Sequence, residues 1–81
     1  MFYTYILFSE SAGRYYTGSS EDAESRLQRH NAGHTKSTRG KGPWKIVATF
    51  PFESRAEAVR LEMKIKKRGA KRFLDDLGFE G

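Results

Sequence analysis

Five side chains in this 81-residue chain have the types and order needed for phosphodiester chemistry. They are Tyr5, Tyr16, Arg26, His30 and Glu62. A phenol has a pKa of about 10, so it takes a proton from water at neutral pH only when a cation or a metal ion stabilises the phenolate. An arginine fork suits a phosphate oxygen. A single carboxylate can anchor magnesium when phosphate and water supply the other ligands. Together, these groups could cleave a phosphodiester with one divalent metal ion.

Each of these residues also has a plainer interpretation. Tyrosine is among the favoured residues of strands and often packs with its hydroxyl at an edge. Arg26 and His30 lie four residues apart, which is also the pattern of an ordinary exposed helix face. Glu62 precedes Lys66 by four residues, a spacing that favours an ion pair worth about 0.2–0.5 kcal/mol. Taken one at a time, the tyrosines and Glu62 favour structural roles. Arg26 and His30 favour function, because they lie next to Ala23 and Leu27 at the border of the buried stripe.

The elements that must position these residues begin with a predicted β-hairpin. Residues 2–8 and 14–18 are rich in aromatic and β-branched side chains, and the segment between them is rich in turn formers. Alternation along the strands places Tyr3, Tyr5 and Leu7 on one face. Antiparallel pairing can therefore bring Tyr5 near Tyr16.

A helix, a loop and a third strand are predicted next. Ser19 or Ser20 can cap the helix, and residues 31–33 (Asn-Ala-Gly) supply its stop. Residues 35–43 contain basic residues, glycine and proline without a large apolar side chain, which predicts a flexible, basic surface loop. Residues 44–50 have the composition of a strand.

Two further helical segments complete the predicted order. Ser54 opens a capping box for a helix that runs to about Arg68 and ends at Gly69, and residues 70–77 suit a short final helix. The core stripe of the longer helix consists of Ala58, Leu61 and Ile65. The sequence therefore predicts one α+β domain over residues 1–81, with a small three-stranded sheet built on the N-terminal hairpin and flanked by helices, in the order β-β-α-β-α-α.

Composition narrows the class of protein. The chain has no cysteine, which excludes disulfides and thiolate metal sites and fits a reducing compartment. Its apolar start lacks a basic leader, and no run approaches the ~20 apolar residues of a membrane span. These features predict a cytoplasmic protein that is not in a membrane.

The positive charge, +5 overall, is segregated along the chain. No acidic residue lies between Ser25 and Phe52, and a second basic cluster occupies residues 64–72. Segregated basic clusters attract a polyanion, more strongly as the salt concentration falls. The distribution favours a nucleic-acid partner over a merely solvated surface.

The order and spacing of the five candidate residues resemble the GIY-YIG nuclease superfamily. Residues 3–5 (Tyr-Thr-Tyr) match its first motif and residues 16–18 (Tyr-Thr-Gly) its second; Arg26 follows Gly18 by eight residues, and His30 comes four residues later. The chain is similar to small stand-alone members, which are related to the N-terminal nuclease domain of the bacterial excision-repair C subunit. It departs from the family pattern at Tyr3, Thr17 and Ser19.

The resemblance implies a metal-dependent endonuclease that hydrolyses DNA. Glu62 would hold a single Mg²⁺ or Mn²⁺ ion, and Tyr5 or Tyr16 would activate or position the water with help from His30. Arg26 would stabilise the charge of the transition state. Gly18 would let the backbone pack closely under the second tyrosine. The resemblance does not decide which of the two tyrosines loses its proton.

Family members imply DNA as the partner, together with a place in a larger repair assembly. Because basic residues are the main groups available to contact the DNA, and they bind its backbone, we expect binding directed to a DNA structure or to single strands, with weak sequence preference. The expected nucleic-acid-binding residues are Lys36, Arg39, Lys41, Lys64, Lys67 and Arg68. A non-catalytic nucleic-acid-binding module that keeps the nuclease fold is the alternative, and a protein-interaction domain is a weaker one. The sequence leaves open DNA or RNA as the target, the preferred metal and the oligomeric state.

Overall fold

A three-stranded antiparallel sheet forms the centre of the fold, in a computed structural model that describes residues 1–36 and 38–78. The strands are β1 (Phe2–Ser9), β2 (Arg14–Ser20) and β3 (Lys45–Phe52). The helices are α1 (Ala23–Asn31), α2 (Arg55–Arg68) and α3 (Ala70–Asp76). β1 lies in the middle of the sheet, in the order β2-β1-β3. The predicted α+β class and the order β-β-α-β-α-α are confirmed.

The hairpin of β1 and β2 sets the relation between the two motif tyrosines. Tyr5 pairs with Gly18, and Leu7 pairs with Tyr16, so the two tyrosines are diagonal neighbours on one face. Their ring centroids are 6.4 Å apart. The predicted approach of Tyr5 to Tyr16 is confirmed.

Helices cover both faces of the sheet, which gives three layers. On one face, α1 packs over a cluster formed by Tyr5, Leu7, Ala23 and Trp44. On the other face, α2 and α3 enclose Ile6, Ile65 and Leu74. This division follows from the alternation of side chains along β1, because Tyr5 and Leu7 point to one side and Ile6 to the other.

β3 differs from the predicted third strand in its length and its regularity. It runs two residues beyond Phe50, through Pro51, which an edge strand tolerates because no strand of the described part of the chain pairs with its outer side. Ile6 pairs with Ala48 and Leu7 with Ile46, which leaves Val47 as an extra residue in a bulge. The sequence predicts a strand that ends at Phe50 because a proline is typical of turns, although β3 continues through Pro51 to Phe52.

The helix caps agree with prediction in α2 and correct it in α1. The Asp22 carboxylate, and neither Ser19 nor Ser20, accepts a hydrogen bond from the Ser25 amide at 3.1 Å and caps α1. In α2, the Ser54 hydroxyl accepts from the Glu57 amide at 3.2 Å, as predicted.

Gly69 follows the last residue of α2, as predicted, with a φ of 94°, in the left-handed region that favours glycine. The backbone N–H of Gly69 donates to the Ile65 carbonyl at 2.7 Å and so closes the helix. Within the residues that the structure describes, no helix is long and apolar enough to cross a membrane.

Candidate functional site

Three of the five candidate residues form a compact aromatic cluster under α1. Tyr5 lies in β1 and is only 3% exposed, and its hydroxyl is 3.3 Å from Nε2 of His30, near the end of α1. The ring of Tyr16, from β2, lies against the His30 ring with centroids 4.5 Å apart. The structure therefore brings together residues that are up to 25 positions apart in the sequence.

Gly18 is required by the position of Tyr5. A Cβ atom built on Gly18 would lie 2.5 Å from the Tyr5 hydroxyl oxygen and 2.7 Å from the adjoining ring carbon. Such a contact is far shorter than two non-bonded atoms allow, so the tyrosine occupies the space of a side chain at this position. The family resemblance places Gly18 under the second tyrosine, and the structure shows the first tyrosine, its cross-strand partner in the hairpin, packed against it.

Burial and neighbouring charges set the protonation states of this cluster. Burial, the negative charge that Tyr16 would carry and the Glu62 carboxylate raise the pKa of Tyr5 to about 12, and the Arg26 guanidinium offsets part of that rise. Burial, with the positive charges of Arg26 and Arg29, lowers the pKa of His30 below its usual value. At neutral pH, Tyr5 is therefore a phenol and His30 is uncharged.

Arg26 borders a cavity whose walls come from α1, α2 and the ends of β1 and β2. Its side chain is exposed on α1, and its Nε donates to the Ser20 hydroxyl at 3.4 Å. The cavity has a volume of about 210 Å³ and is lined by Phe2, Ser19, Ser20, Glu21, Arg26, Arg55, Ala58 and Val59. Arg55, whose guanidinium lies 5.8 Å from the centroid of the Phe2 ring, adds a second positive charge to this wall.

Sequence reasoning missed Arg55. A basic residue in the first turn of a helix carries no signal that it will line a cavity, because the cavity exists only once α2 has packed against the hairpin.

Glu62 is held by two neighbours on the face of the sheet covered by α2. The Ser19 hydroxyl donates to one carboxylate oxygen at 2.7 Å, and Lys66 Nζ donates to the other at 2.6 Å. The Glu62 side chain is 18% exposed. The ion pair with Lys66 that the four-residue spacing favours is therefore present, and Ser19 is a second partner that no sequence pattern predicts.

The two halves of the candidate site meet at the edge strand β2. Ser19 contacts Glu62 on the α2 face, and the next residue, Ser20, contacts Arg26 on the α1 face. The Glu62 carboxylate is close enough to raise the pKa of Tyr5. Since no strand among residues 1–36 and 38–78 lies outside β2, both groups reach the same edge of the sheet.

The predicted nucleic-acid-binding residues fall into two separate groups. Lys36, Arg39 and Lys41 are exposed in the loop between α1 and β3, near the end of α1, and Arg39 Nε donates to the Gly33 carbonyl at 2.8 Å. Within this predicted surface loop, Thr38 is buried, with 1% of its surface exposed.

The second group lies along α2, and the structure does not gather it at the candidate site. Lys64 lines a different cavity with Phe52 and Glu57, on the β3 side of α2. Arg68 forms a bidentate ion pair with Asp76, in which Nε donates to Oδ2 at 2.8 Å and Nη2 donates to Oδ1 at 3.0 Å. Lys67 is exposed on the same helix. The loop group is therefore the better placed of the two.

Glu62 is suited to a metal ion that takes most of its ligands from elsewhere. Among the residues described, no group of three or more histidine, aspartate or glutamate side chains could hold a metal ion by itself. Each Glu62 oxygen accepts one hydrogen bond, so the carboxylate keeps further lone pairs. This donor set fits a divalent ion whose other ligands are phosphate and water.

Comparison with known proteins identifies relatives of this chain. It is 43% identical over 65 residues to the UPF0213 protein BH0048 of Halalkalibacterium halodurans, covering 79% of this chain and 68% of that protein. It is 45% identical over 58 residues to the UPF0213 protein VNG_2274C of Halobacterium salinarum, covering 70% and 75%.

A solved structure and a family model agree with these relatives. The solution NMR structure of the UPF0213 protein BH0048 from Bacillus halodurans is similar, with a TM-score of 0.55 and 41% identity, over 95% of this chain and 85% of that one. Residues 1–73 match the family model described as the GIY-YIG catalytic domain. The chain therefore belongs to the GIY-YIG family of nuclease domains.

Proposed function

We propose that this protein is a metal-dependent endonuclease that hydrolyses DNA phosphodiester bonds, directed to branched or single-stranded structures with weak sequence preference. The observation that carries the proposal is that Glu62 and Arg26 contact the successive β2 residues Ser19 and Ser20, directly after Gly18, against which Tyr5 packs. Membership of a nuclease domain family supports it. The resemblance to an excision-repair domain favours DNA repair in the cytoplasm, within a larger assembly, as the setting.

Each residue has a role that its surroundings support. Glu62 would hold Mg²⁺ or Mn²⁺, and the bound ion would supply a Lewis acid for the scissile phosphate. Arg26 is exposed beside the cavity and would bind a non-bridging phosphate oxygen as its charge grows. Tyr5 and Tyr16 would position the attacking water, and His30, neutral at pH 7, would accept a proton.

The DNA backbone would run past the loop that follows α1. Lys36, Arg39 and Lys41 are exposed there, and Arg26 and Arg55 extend the positive charge along the cavity wall. Contacts of this kind are made to phosphates, so they give affinity that falls with salt and little sequence information. Lys64, Lys67 and Arg68 would contact only longer or branched substrates, since they lie elsewhere on α2.

Cleavage of branched and single-stranded DNA in Mg²⁺ by matched variants tests the proposal. Glu62→Gln removes the carboxylate charge, and we expect the rate to fall by about 100-fold or more, since a catalytic metal ion contributes several kcal/mol. Lys66→Ala breaks the same ion pair but keeps the carboxylate, so it should retain most of the activity.

Three controls accompany that comparison. Chelation of the metal should abolish cleavage by the wild type, and Tyr16→Phe should reduce it. Equal cleavage by wild type, Glu62→Gln and Tyr16→Phe would show that the activity comes from a contaminant and would count against the proposal.

A non-catalytic nucleic-acid-binding module is the second candidate function. The observation that favours it is that both Glu62 oxygens already have partners and that Tyr5 is a buried phenol of raised pKa. It predicts salt-sensitive binding to DNA or RNA that survives Glu62→Ala, without turnover under any metal. Binding measured at several salt concentrations beside the cleavage assay separates the two candidates.

A further inference from the structure

Thr38 is a buried polar residue at the centre of an exposed basic loop. Its side chain lies 1% exposed, whereas Lys36 and Arg39 beside it are exposed. Its hydroxyl oxygen is 2.8 Å from Nδ1 of His30. The indole N–H of Trp44 donates to its carbonyl at 3.2 Å. Both the backbone and the side chain of Thr38 are therefore fixed against the aromatic cluster.

A chain of hydrogen bonds runs from this loop to Tyr5. The Thr38 hydroxyl donates to the Thr35 carbonyl at 3.3 Å. A hydroxyl has one proton, so Thr38 then accepts a hydrogen bond from His30, which requires the proton of the neutral ring to be on Nδ1. His30 Nε2 is left with its lone pair, and the Tyr5 hydroxyl 3.3 Å away donates to it. In this arrangement every proton in the chain has an acceptor.

The opposite tautomer leaves a buried donor without an acceptor. If His30 carried its proton on Nε2, that N–H would donate to the Tyr5 oxygen, and Thr38 would donate to Nδ1. The Tyr5 proton would then have no acceptor among the residues that the structure describes, although Tyr5 is 3% exposed. Buried polar groups in folded proteins are almost always paired, so the first arrangement is favoured.

We propose that Thr38 is a positioning residue that holds His30 in the Nδ1–H tautomer, so that Nε2 accepts the hydrogen bond of the Tyr5 hydroxyl and the Tyr5 oxygen keeps its own lone pairs as an acceptor. The consequence for catalysis rests on the proposed nuclease function. The assignment of the tautomer does not depend on the nuclease function, because it follows from the hydrogen bonds that join Thr35, Thr38, His30 and Tyr5.

The arrangement supplies a two-step proton relay in which Tyr5 never becomes a free phenolate. If the attacking water of a substrate complex reaches the Tyr5 oxygen, one water O–H bond would break as its proton joins that oxygen, and the original Tyr5 O–H bond would break as that proton joins His30 Nε2. The net result is a hydroxide and a His30 imidazolium, with Tyr5 unchanged. A relay of this kind suits a buried tyrosine whose pKa is raised to about 12, since a free phenolate would be costly there.

Nitrogen-15 NMR of the full chain, labelled at histidine, tests the tautomer without any substrate. The chain has two histidines, and a His34→Gln variant assigns the signals. At neutral pH we expect the His30 signal of an Nδ1–H ring, with Nε2 unprotonated. An Nε2–H ring in the wild-type protein would overturn the proposal, whatever the activity.

Substitution of Thr38 connects the tautomer with cleavage. Thr38→Val keeps the shape but removes the acceptor, so we expect the His30 tautomers to become mixed and the cleavage rate to fall by about 10–100-fold, the usual effect of losing a group that orients another. Thr38→Ser keeps a hydroxyl and should restore both readouts. Thr35→Val is the matched control, because Thr35 contributes its backbone carbonyl, and its His30 spectrum should match the wild type.

The outcomes separate this inference from the proposed function. An unchanged His30 spectrum and unchanged cleavage in Thr38→Val would overturn the inference. A shifted tautomer with a lower kcat at unchanged KM, reversed in Thr38→Ser, would support it. No cleavage by any variant, wild type included, would overturn the nuclease function. The wild-type spectrum would still decide the tautomer, even if Thr38→Val did not fold.

Discussion

The two faces of the sheet bury side chains of different chemical types. Under α1, the buried side chains include Tyr5, His30 and Thr38, and each is hydrogen-bonded. Under α2 and α3, the buried cluster consists of Ile6, Ile65 and Leu74. One strand, β1, supplies both faces through simple alternation. Both faces combine apolar packing with buried hydrogen bonds, since Leu7, Ala23 and Trp44 lie under α1 and the Thr4 hydroxyl donates to the Ala58 carbonyl at 2.6 Å under α2. The α1 face differs because two of its buried hydrogen-bonded side chains, Tyr5 and His30, can exchange protons.

The largest expected effect is a loss of stability when a side chain under α2 and α3 is truncated. Ile65 is fully buried in the apolar cluster, so Ile65→Ala removes apolar contacts and leaves a cavity. We expect a loss of about 2–5 kcal/mol in the free energy of unfolding, measured by urea denaturation. A domain of this size has little stability to spare, so Ile65→Ala should be marginally folded at best.

Tyr5→Phe is the counterpart on the other face. It removes a hydroxyl with a single hydrogen-bond partner among the described residues, and keeps the ring, so the loss of stability should be about 1 kcal/mol. Its cleavage rate should nevertheless fall by about 100-fold or more. If Tyr5→Phe proved as destabilising as Ile65→Ala, the expectation that the Tyr5 hydroxyl contributes less to stability than the Ile65 side chain would be wrong.

The pH dependence of stability provides the next largest expected effect and should come from the polar face. The folded state keeps His30 neutral, because burial and two arginines lower its pKa, whereas the unfolded chain binds a proton near pH 6.5. The unfolded state therefore binds more protons as the pH falls below about 6.5, and the free energy of unfolding decreases. Urea denaturation between about pH 5 and 8 measures the slope.

Tyr5 has the opposite sign at alkaline pH. Its pKa is raised to about 12, so the folded state keeps a proton that an unfolded tyrosine loses near pH 10, and stability decreases as the pH rises above about 10. His30→Gln should remove the acid slope and leave the alkaline one. An acid slope that persisted in His30→Gln would assign it to carboxylates instead.

The smallest expected effect comes from the helix caps. Asp22→Ala and Ser54→Ala each remove the side chain that caps a helix, and each should cost about 0.5–2 kcal/mol in thermal unfolding. Because α1 carries His30 and α2 does not, Asp22→Ala should also shift the His30 NMR signal, whereas Ser54→Ala should not. Equal shifts in both variants would show that the two faces are more tightly coupled than their packing indicates.

The sequence predicts those features that depend on local patterns. The hairpin, the Ser54 cap and the end of α2 at Gly69 follow from alternation and turn chemistry over a few residues. The approach of Tyr5 to Tyr16 needs only the antiparallel pairing of neighbouring strands. Family motifs then supply the candidate residues.

The features that the sequence does not predict depend on distant partners. Ser19 contacts Glu62 across 43 positions, and the burial of Thr38 requires both α1 and Trp44 to be in place. A threonine in a polar loop gives no local signal of burial. The cap of α1 was missed for a different reason, since several capping residues compete in the segment before the helix, and the backbone geometry selects Asp22.

The proline in β3 has a consequence for how this protein behaves at high concentration. Pro51 has no backbone N–H and lies in an edge strand, so a strand from another molecule cannot form a complete ladder along that edge. The bulge at Val47 disturbs the same strand further. Intermolecular sheet growth, the first step of fibril formation, is therefore disfavoured on the β3 side of the molecule.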